Sequence, residues 1–249
     1  MTDSSTCVWK FFGRVLPERV ATSIPLLSFD ATSDLGFRLS FSGRIVFSQI
    51  MVDIKVQPPN IDEFTLRNTV EELVRQHTDL VGMMRGVSLD VEIISASADD
   101  GRWRVFGAEI PILFDYTRDG KFEIGVDRVK QVLSDLTAKI MLADFREAMR
   151  VPGQTGFFCY RAFDAGMQSF VECGAPNEKS AWEQLRTSLN VDRGIIDVIK
   201  SKADGVRHGK LINISDQDRA FILSKTQEFI RRYLDFVERG PAPLSKDAY

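Results

Sequence analysis

The sequence predicts an α+β fold: an N-terminal antiparallel sheet with one long helix, followed by a C-terminal helical bundle. Two patterns lead there. Up to about residue 126, short β-branched and aromatic runs alternate with period two, and beyond it apolar residues recur at helical spacing. Composition frames both patterns, since 249 residues that are 44% hydrophobic and 27% charged suit an ordinary globular protein. Such a chain is neither collagen-like, low-complexity nor wholly disordered.

The first strands are read at Val8–Val15, Ile24–Phe29 and Gly36–Phe47, the last with Phe37, Leu39 and Phe41 on one side. Pro17, Pro25 and the Thr32-Ser33-Asp34 cluster separate them. Ile45–Val56 reads as a further strand stopped by Pro58-Pro59. Asn60, with Glu63 three residues later, makes a capping-box pattern for a long helix. Leu66, Val70, Leu73, Val74, Leu80, Val81 and Met84 give that helix an apolar face, and Gly86 ends it. Leu89–Ala96 and Arg102–Phe114 read as a hairpin about Asp99-Asp100-Gly101, and Lys121–Val126 as a last short strand, for six or seven strands in all. Helices are then expected at about 127–150, 154–173, 178–189, 192–206 and 216–238, the last with Ser215 as cap, before a loose tail at Pro243–Tyr249. The expected domains are 1–126, α+β, and 127–249, a helical bundle.

Charge divides weakly along the same line. Residues 1–126 carry 13 bases and 18 acids, and the remainder 19 and 17, so neither half has the basic excess of a dedicated duplex-DNA binder. No apolar run approaches the ~20 residues that span a bilayer. The start, Met-Thr-Asp-Ser-Ser-Thr, lacks the basic and apolar blocks of a signal peptide, and three cysteines (Cys7, Cys159, Cys173) lack metal-type spacing. A cytoplasmic protein with reduced thiols, no membrane association, no metal and no cofactor is therefore expected.

Phosphate-loop, dinucleotide, nucleophile-elbow and zinc-protease motifs are absent. Of the two histidines, His77 falls on the apolar face of the long helix and reads as a packed residue with one nitrogen satisfied by a neighbour. Asp53 and Lys55, with Asp90 and Glu92, have the residue types of a magnesium nuclease, but alternating charges on a wet sheet face explain them equally. Trp103 between Arg102 and Arg104, and Phe11-Phe12 near Arg14, have the composition of a single-strand stacking surface. The expected arrangement is instead an inward aromatic with its flanking arginines in water.

In the helical half, Arg161 and Asp164 stand three apart, the spacing of an intrahelical pair. Arg207, His208 and Gly209 fall at a helix end, where a histidine complements the dipole and glycine caps. The order of helices, with polar residues in an early helix and this basic-plus-histidine cluster before the last, resembles the HEPN superfamily over about residues 150–238. The resemblance implies a homodimer and an RNA-binding or metal-independent RNA-cleaving effector of a defence or toxin–antitoxin system. His208 would then shuttle protons, Arg207 or Lys202 would clamp phosphate, and Arg161 and Asp164 would position them. Arg207 and His208 are adjacent, whereas the superfamily's motif separates its arginine and histidine by four to six residues; Lys202 is the base at that spacing. The alternative is a non-catalytic protein-interaction or dimerisation module with a ligand-recognising N-terminal sheet, and the residues leave open whether the chain is an enzyme. A nuclease needs Arg161, Asp164 and His208 to converge on an open groove; an interaction protein leaves them apart or sealed in ion pairs.

Overall fold

The computed structural model describes residues 6–107, 110, 113, 126–210 and 212–240. The chain divides into two units, Met1–Ala108 with Asn213–Asp216, and Glu109–Ile212 with Gln217–Tyr249. The first holds strands β1 (Cys7–Leu16), β2 (Ile24–Thr32), β3 (Arg38–Val46), β4 (Gln49–Gln57), β5 (Asp90–Ala98) and β6 (Trp103–Val105), with helix α1 (Glu63–Arg85) between β4 and β5. The sheet order is β2-β3-β4-β1-β5-β6, antiparallel throughout. The fold is α+β, as the sequence predicts.

Alternation assigns the two faces of this sheet. Trp9, Phe11 and Val15 of β1 are buried with Phe41 and Ile45 of β3, Ile50, Val52, Ile54 and Val56 of β4, and Val91 and Ile93 of β5. Leu66, Val70 and Val74 of α1 join them in one core. Each such buried side chain contributes about 1.5–3 kcal/mol relative to exposure. β1 and β5 approach closely at Gly13, where a Cβ would stand 2.2 Å from the Glu92 carbonyl oxygen. Their register shifts beside it, between Phe12 and Gly13.

The cap of α1 is Asp62 rather than Asn60. The Asp62 carboxylate accepts the Thr65 N–H at 2.7 Å, and its charge also suits the positive end of the helix. Gly86 ends the helix at φ 66°. Arg75 is buried between Glu71, at 3.1 Å, and Asp90 of β5. Burial lowers its pKa, but the bonds and charges of Asp90 and Glu71 outweigh that and the net shift is upward. His77 spends both ring nitrogens on the backbone. The Leu27 N–H of edge strand β2 donates to Nε2 at 3.2 Å, so Nδ1 carries the proton and donates to the Leu73 carbonyl at 2.8 Å. Leu80 and Met84 continue the His77 side of the helix past this edge strand and are exposed, against the sequence expectation of a buried stripe.

The second unit contains α2 (Val126–Ser134), α3 (Leu136–Arg150), α4 (Thr155–Glu172), α5 (Glu178–Leu189), α6 (Arg193–Arg207) and α7 (Asp216–Arg239). α4 is central, packed against α3, α5 and α6. It meets α7 through stacked Phe163 and Phe229, 3.9 Å between centroids. Gly156 permits the α4–α6 contact, because a Cβ there would lie 2.8 Å from the Lys202 carbonyl oxygen.

Several sequence boundaries move. The helix expected over 127–150 is two, because Asp135 leaves helical geometry and caps α3 by accepting the Ala138 N–H. β3 and β4 are split at Phe47-Ser48, both at positive φ, a turn without the usual glycine or asparagine. Ser48 is held there by the Thr22 N–H on its hydroxyl and by its own N–H on the Thr22 carbonyl. The strand expected over Arg102–Phe114 is Trp103–Val105, and residues 108, 109, 111, 112 and 114 lie outside the described set. Of the strand expected at Lys121–Val126, residues 121–125 also lie outside it and Val126 opens a helix; the expected tail, 243–249, lies outside it too. Among the described residues no helix is long and apolar enough to cross a membrane. All three cysteines are free.

His77→Ala leaves the Leu27 N–H without its acceptor and removes a ring stacked on Phe41. The expected cost is about 1–3 kcal/mol, read as a lower urea midpoint at unchanged slope. An unchanged midpoint would show that the edge strand does not depend on this bond.

Candidate functional site

Of the five candidate residues of the helical half, Arg161 and Asp164 lie on α4, Lys202 and Arg207 on α6, and His208 caps α6. Arg207 and Asp164 act on each other, while Arg161 and Lys202 pair elsewhere. Arg161 pairs across to Asp144 of α3 at 3.3 Å, not with Asp164 one turn along its own helix. Its guanidinium also lies 5.7 and 5.8 Å from the Phe157 and Phe158 ring centroids. Lys202 pairs with Asp218 of α7 at 2.7 Å. Arg207 stands 3.9 Å from Asp204 and 5.7 Å above the Tyr160 ring.

His208 is the C-cap of α6 and is exposed. Its backbone belongs to a complete helix-ending motif, with the Lys210 N–H on the Gly205 carbonyl and the Gly209 N–H on the Val206 carbonyl. Gly209 supplies the left-handed φ of 74° that this motif requires. Among the described residues, none hydrogen-bonds or ion-pairs with the His208 ring.

Asp164 has the most unusual setting of the five. Burial raises its pKa first of all, Arg207 pulls it down, Glu178 adds to the rise and Lys200 opposes it. The Asp144 carboxyl is likewise raised by burial, against the pull of Arg161. Neither arrangement brings an acid to His208. Cysteine chemistry is no nearer, since burial pushes the Cys159 thiol up to about 12 and also raises Cys7.

Two surfaces stand out, the first adjoining Arg207 and Asp164. Between α5 and α6 runs a groove of about 350 Å³, floored by Tyr160, Trp182 and Ile196. Its rim carries Lys179, Arg186, Arg193 and Lys200 against Glu183 and Asp197. Tyr160 and Trp182 stack at 6.4 Å. Arg186 is held by the Trp182 carbonyl and Arg193 by Asp197.

The other surface is the sheet face opposite the core. Register places Ser42, Asp53, Lys10, Ser97 and Trp103 in one row across β3, β4, β1, β5 and β6. The next row holds Arg44, Met51, Phe12, Ser95 and Val105. The expected orientation of Trp103 is thus reversed: it is 61% exposed, while Arg104 turns to the core side and meets Glu63 of α1 at 2.5 Å. Arg102 likewise lies 4.8 Å over the buried Trp9 ring. The reason is room. Phe106 already fills the edge of the core, stacked on Phe11 and edge-on to Phe64. Trp103 instead pairs with Phe12 in the open, 6.4 Å between centroids. The polar alternation Ser95-Ser97 opposite it was the sequence signal for this orientation. Asp53 and Lys55 are exposed on the same face, Glu92 pairs with Arg14 at 2.6 Å, and Asp90 is taken by Arg75. Among the described residues no cluster of three or more histidine, cysteine or acidic side chains could hold a metal ion.

Residues 9–106 match the N-terminal domain model of a domain of unknown function, DUF8168, and residues 126–238 match its C-terminal domain model. Comparison with curated proteins and with solved structures gave no match.

The Asp164 setting has a consequence for stability. Its raised pKa means that the folded chain keeps this proton to higher pH than the unfolded chain does. Stability therefore falls as pH rises from about 4, the ordinary aspartate range, through the raised value. Asp164→Asn should flatten this part of the profile, so that urea midpoints of the two proteins diverge in the variant's favour between pH 4 and 7. Parallel profiles would contradict the assignment.

Proposed function

We propose that this protein is a non-catalytic binding module of the cytoplasm whose N-terminal sheet carries the recognition surface. The observation behind this reading is the sheet face opposite α1, where Trp103 and Val105 are exposed and Phe12 and Met51 half-buried. A soluble fold gains more by burying a tryptophan, and one held outward beside a second aromatic is the composition of a contact surface. Three free cysteines, two of them buried, support the cytoplasmic part. In this reading the helical half serves self-association into a homodimer.

The pairing of Arg161 and Lys202 with acids outside the candidate set supports binding without cleavage. General acid–base work on RNA needs His208 within reach of the same phosphate as a cation. Here Arg161 and Lys202 are committed to Asp144 and Asp218. The position and motif of Arg207, His208 and Gly209 are those of a helix end.

Structured RNA incubated in chelator with the full chain should stay intact, with wild type and His208→Ala indistinguishable. Products ending in 2′,3′-cyclic phosphate, lost on the order of 10²–10⁴-fold in His208→Ala, would overturn this reading in favour of the HEPN-type ribonuclease.

A further inference from the structure

We infer that the open sheet face binds single-stranded nucleic acid, with Phe12 and Trp103 stacking on bases and Lys10, Lys55, Arg38 and Arg44 meeting phosphates. The inference rests on the sheet's being the recognition surface and names what it recognises. Its first support is the aromatic pair. The two rings lie 6.4 Å apart with 29° between planes, across the width of β5, where Ser95 and Ser97 stand between them. Any unpaired base offers a ring face to such a pair, whereas a duplex hides its ring faces inside the stack.

The second support is charge. The N-terminal half has more acids than bases, 18 against 13 over residues 1–126. Its open face runs the other way. Lys10, Lys55, Arg38 and Arg44 are all exposed there, and among the described residues none of the four is in an ion pair. The acids sharing the face are Asp30 and Asp53, while Glu92 and Arg14 neutralise each other. Unpaired cations on the same sheet face as the two aromatics, in an otherwise acidic unit, complement a chain of phosphates carrying bases. A peptide strand adding at either edge, β2 or β6, would meet Trp103 at most, and would leave Phe12 of β1 and the cations of β1, β3 and β4 unused.

The test uses the full chain and fluorescent 12-mers of uridylate and of thymidylate, with a 12-base-pair duplex as the third arm, read by anisotropy. Binding of either single strand over the duplex is expected, weakening steeply between 50 and 200 mM salt. Binding of both assigns recognition to the shared base-and-phosphate chemistry, and binding of the uridylate alone adds the 2′-hydroxyl to it. Trp103→Ala should weaken binding about 5- to 100-fold, as loss of a stacking platform does, with the circular dichroism spectrum unchanged. Lys10→Gln with Lys55→Gln should reduce the salt dependence. No binding of either strand, preference for the duplex, or indifference to Trp103→Ala would overturn the inference. Intact RNA with no binding removes this inference alone, whereas bound RNA that is cleaved removes the non-catalytic reading and leaves the surface standing.

Discussion

Among the described residues one helix, α1, covers one face of the six-stranded sheet, and the rest of the N-terminal unit follows from the contrast between that face and the other. Antiparallel pairing lets each strand put alternate residues on opposite sides, so one side can be wholly apolar and the other wholly wet. β1 shows the consequence most clearly, because it lies between β4 and β5 and carries Trp9, Phe11 and Val15 inward but Lys10, Phe12 and Arg14 outward. The same division makes Phe12 and Trp103 informative. They are large aromatics on the side where alternation calls for polar residues, and Phe11 and Phe106 already fill the core side at that edge.

The helix that covers the sheet is tied to it by polar links as well as apolar packing. Arg75 joins α1 to the start of β5 through Asp90, and His77 joins it to the far edge strand through the Leu27 N–H. These links lie only two residues apart on α1 yet reach β5 and β2, which three strands separate. They therefore fix how the helix crosses the sheet. In the helical unit the corresponding constraint is close approach to α4. Gly156 admits the α6 backbone and Gly166 admits the Phe229 ring, so neither position has room for a methyl group.

Much of this was legible in the residues. Alternation located β1 to β5, Gly86 and Gly209 marked two helix ends, and the acid-glycine turn placed the β5–β6 hairpin. Local signals failed where tertiary contacts decide. Phe47-Ser48 turns because Thr22 holds Ser48, and Asp135 divides a continuous helical pattern by capping its second part. Arg161 and Asp164 have the spacing of an intrahelical pair, but Asp144, from another helix, offers Arg161 a buried carboxylate. The immediate neighbours of Trp103, two arginines, point to the wrong face for its ring. Counting outward from the Asp100-Gly101 turn sets it against Ser97, and so on the side of Lys10.

The central claim is that the sheet has one buried and one open face, with Trp103 on the open one. Hydroxyl-radical labelling of the full chain in its native state, read residue by residue by mass spectrometry, tests it most directly. Trp103 should be oxidised readily, whereas Trp9, at 1% exposure, and Phe11 should be protected until the chain is unfolded. Protection of Trp103, or labelling of Trp9 in the folded protein, would contradict the assignment of the two faces and everything argued from it.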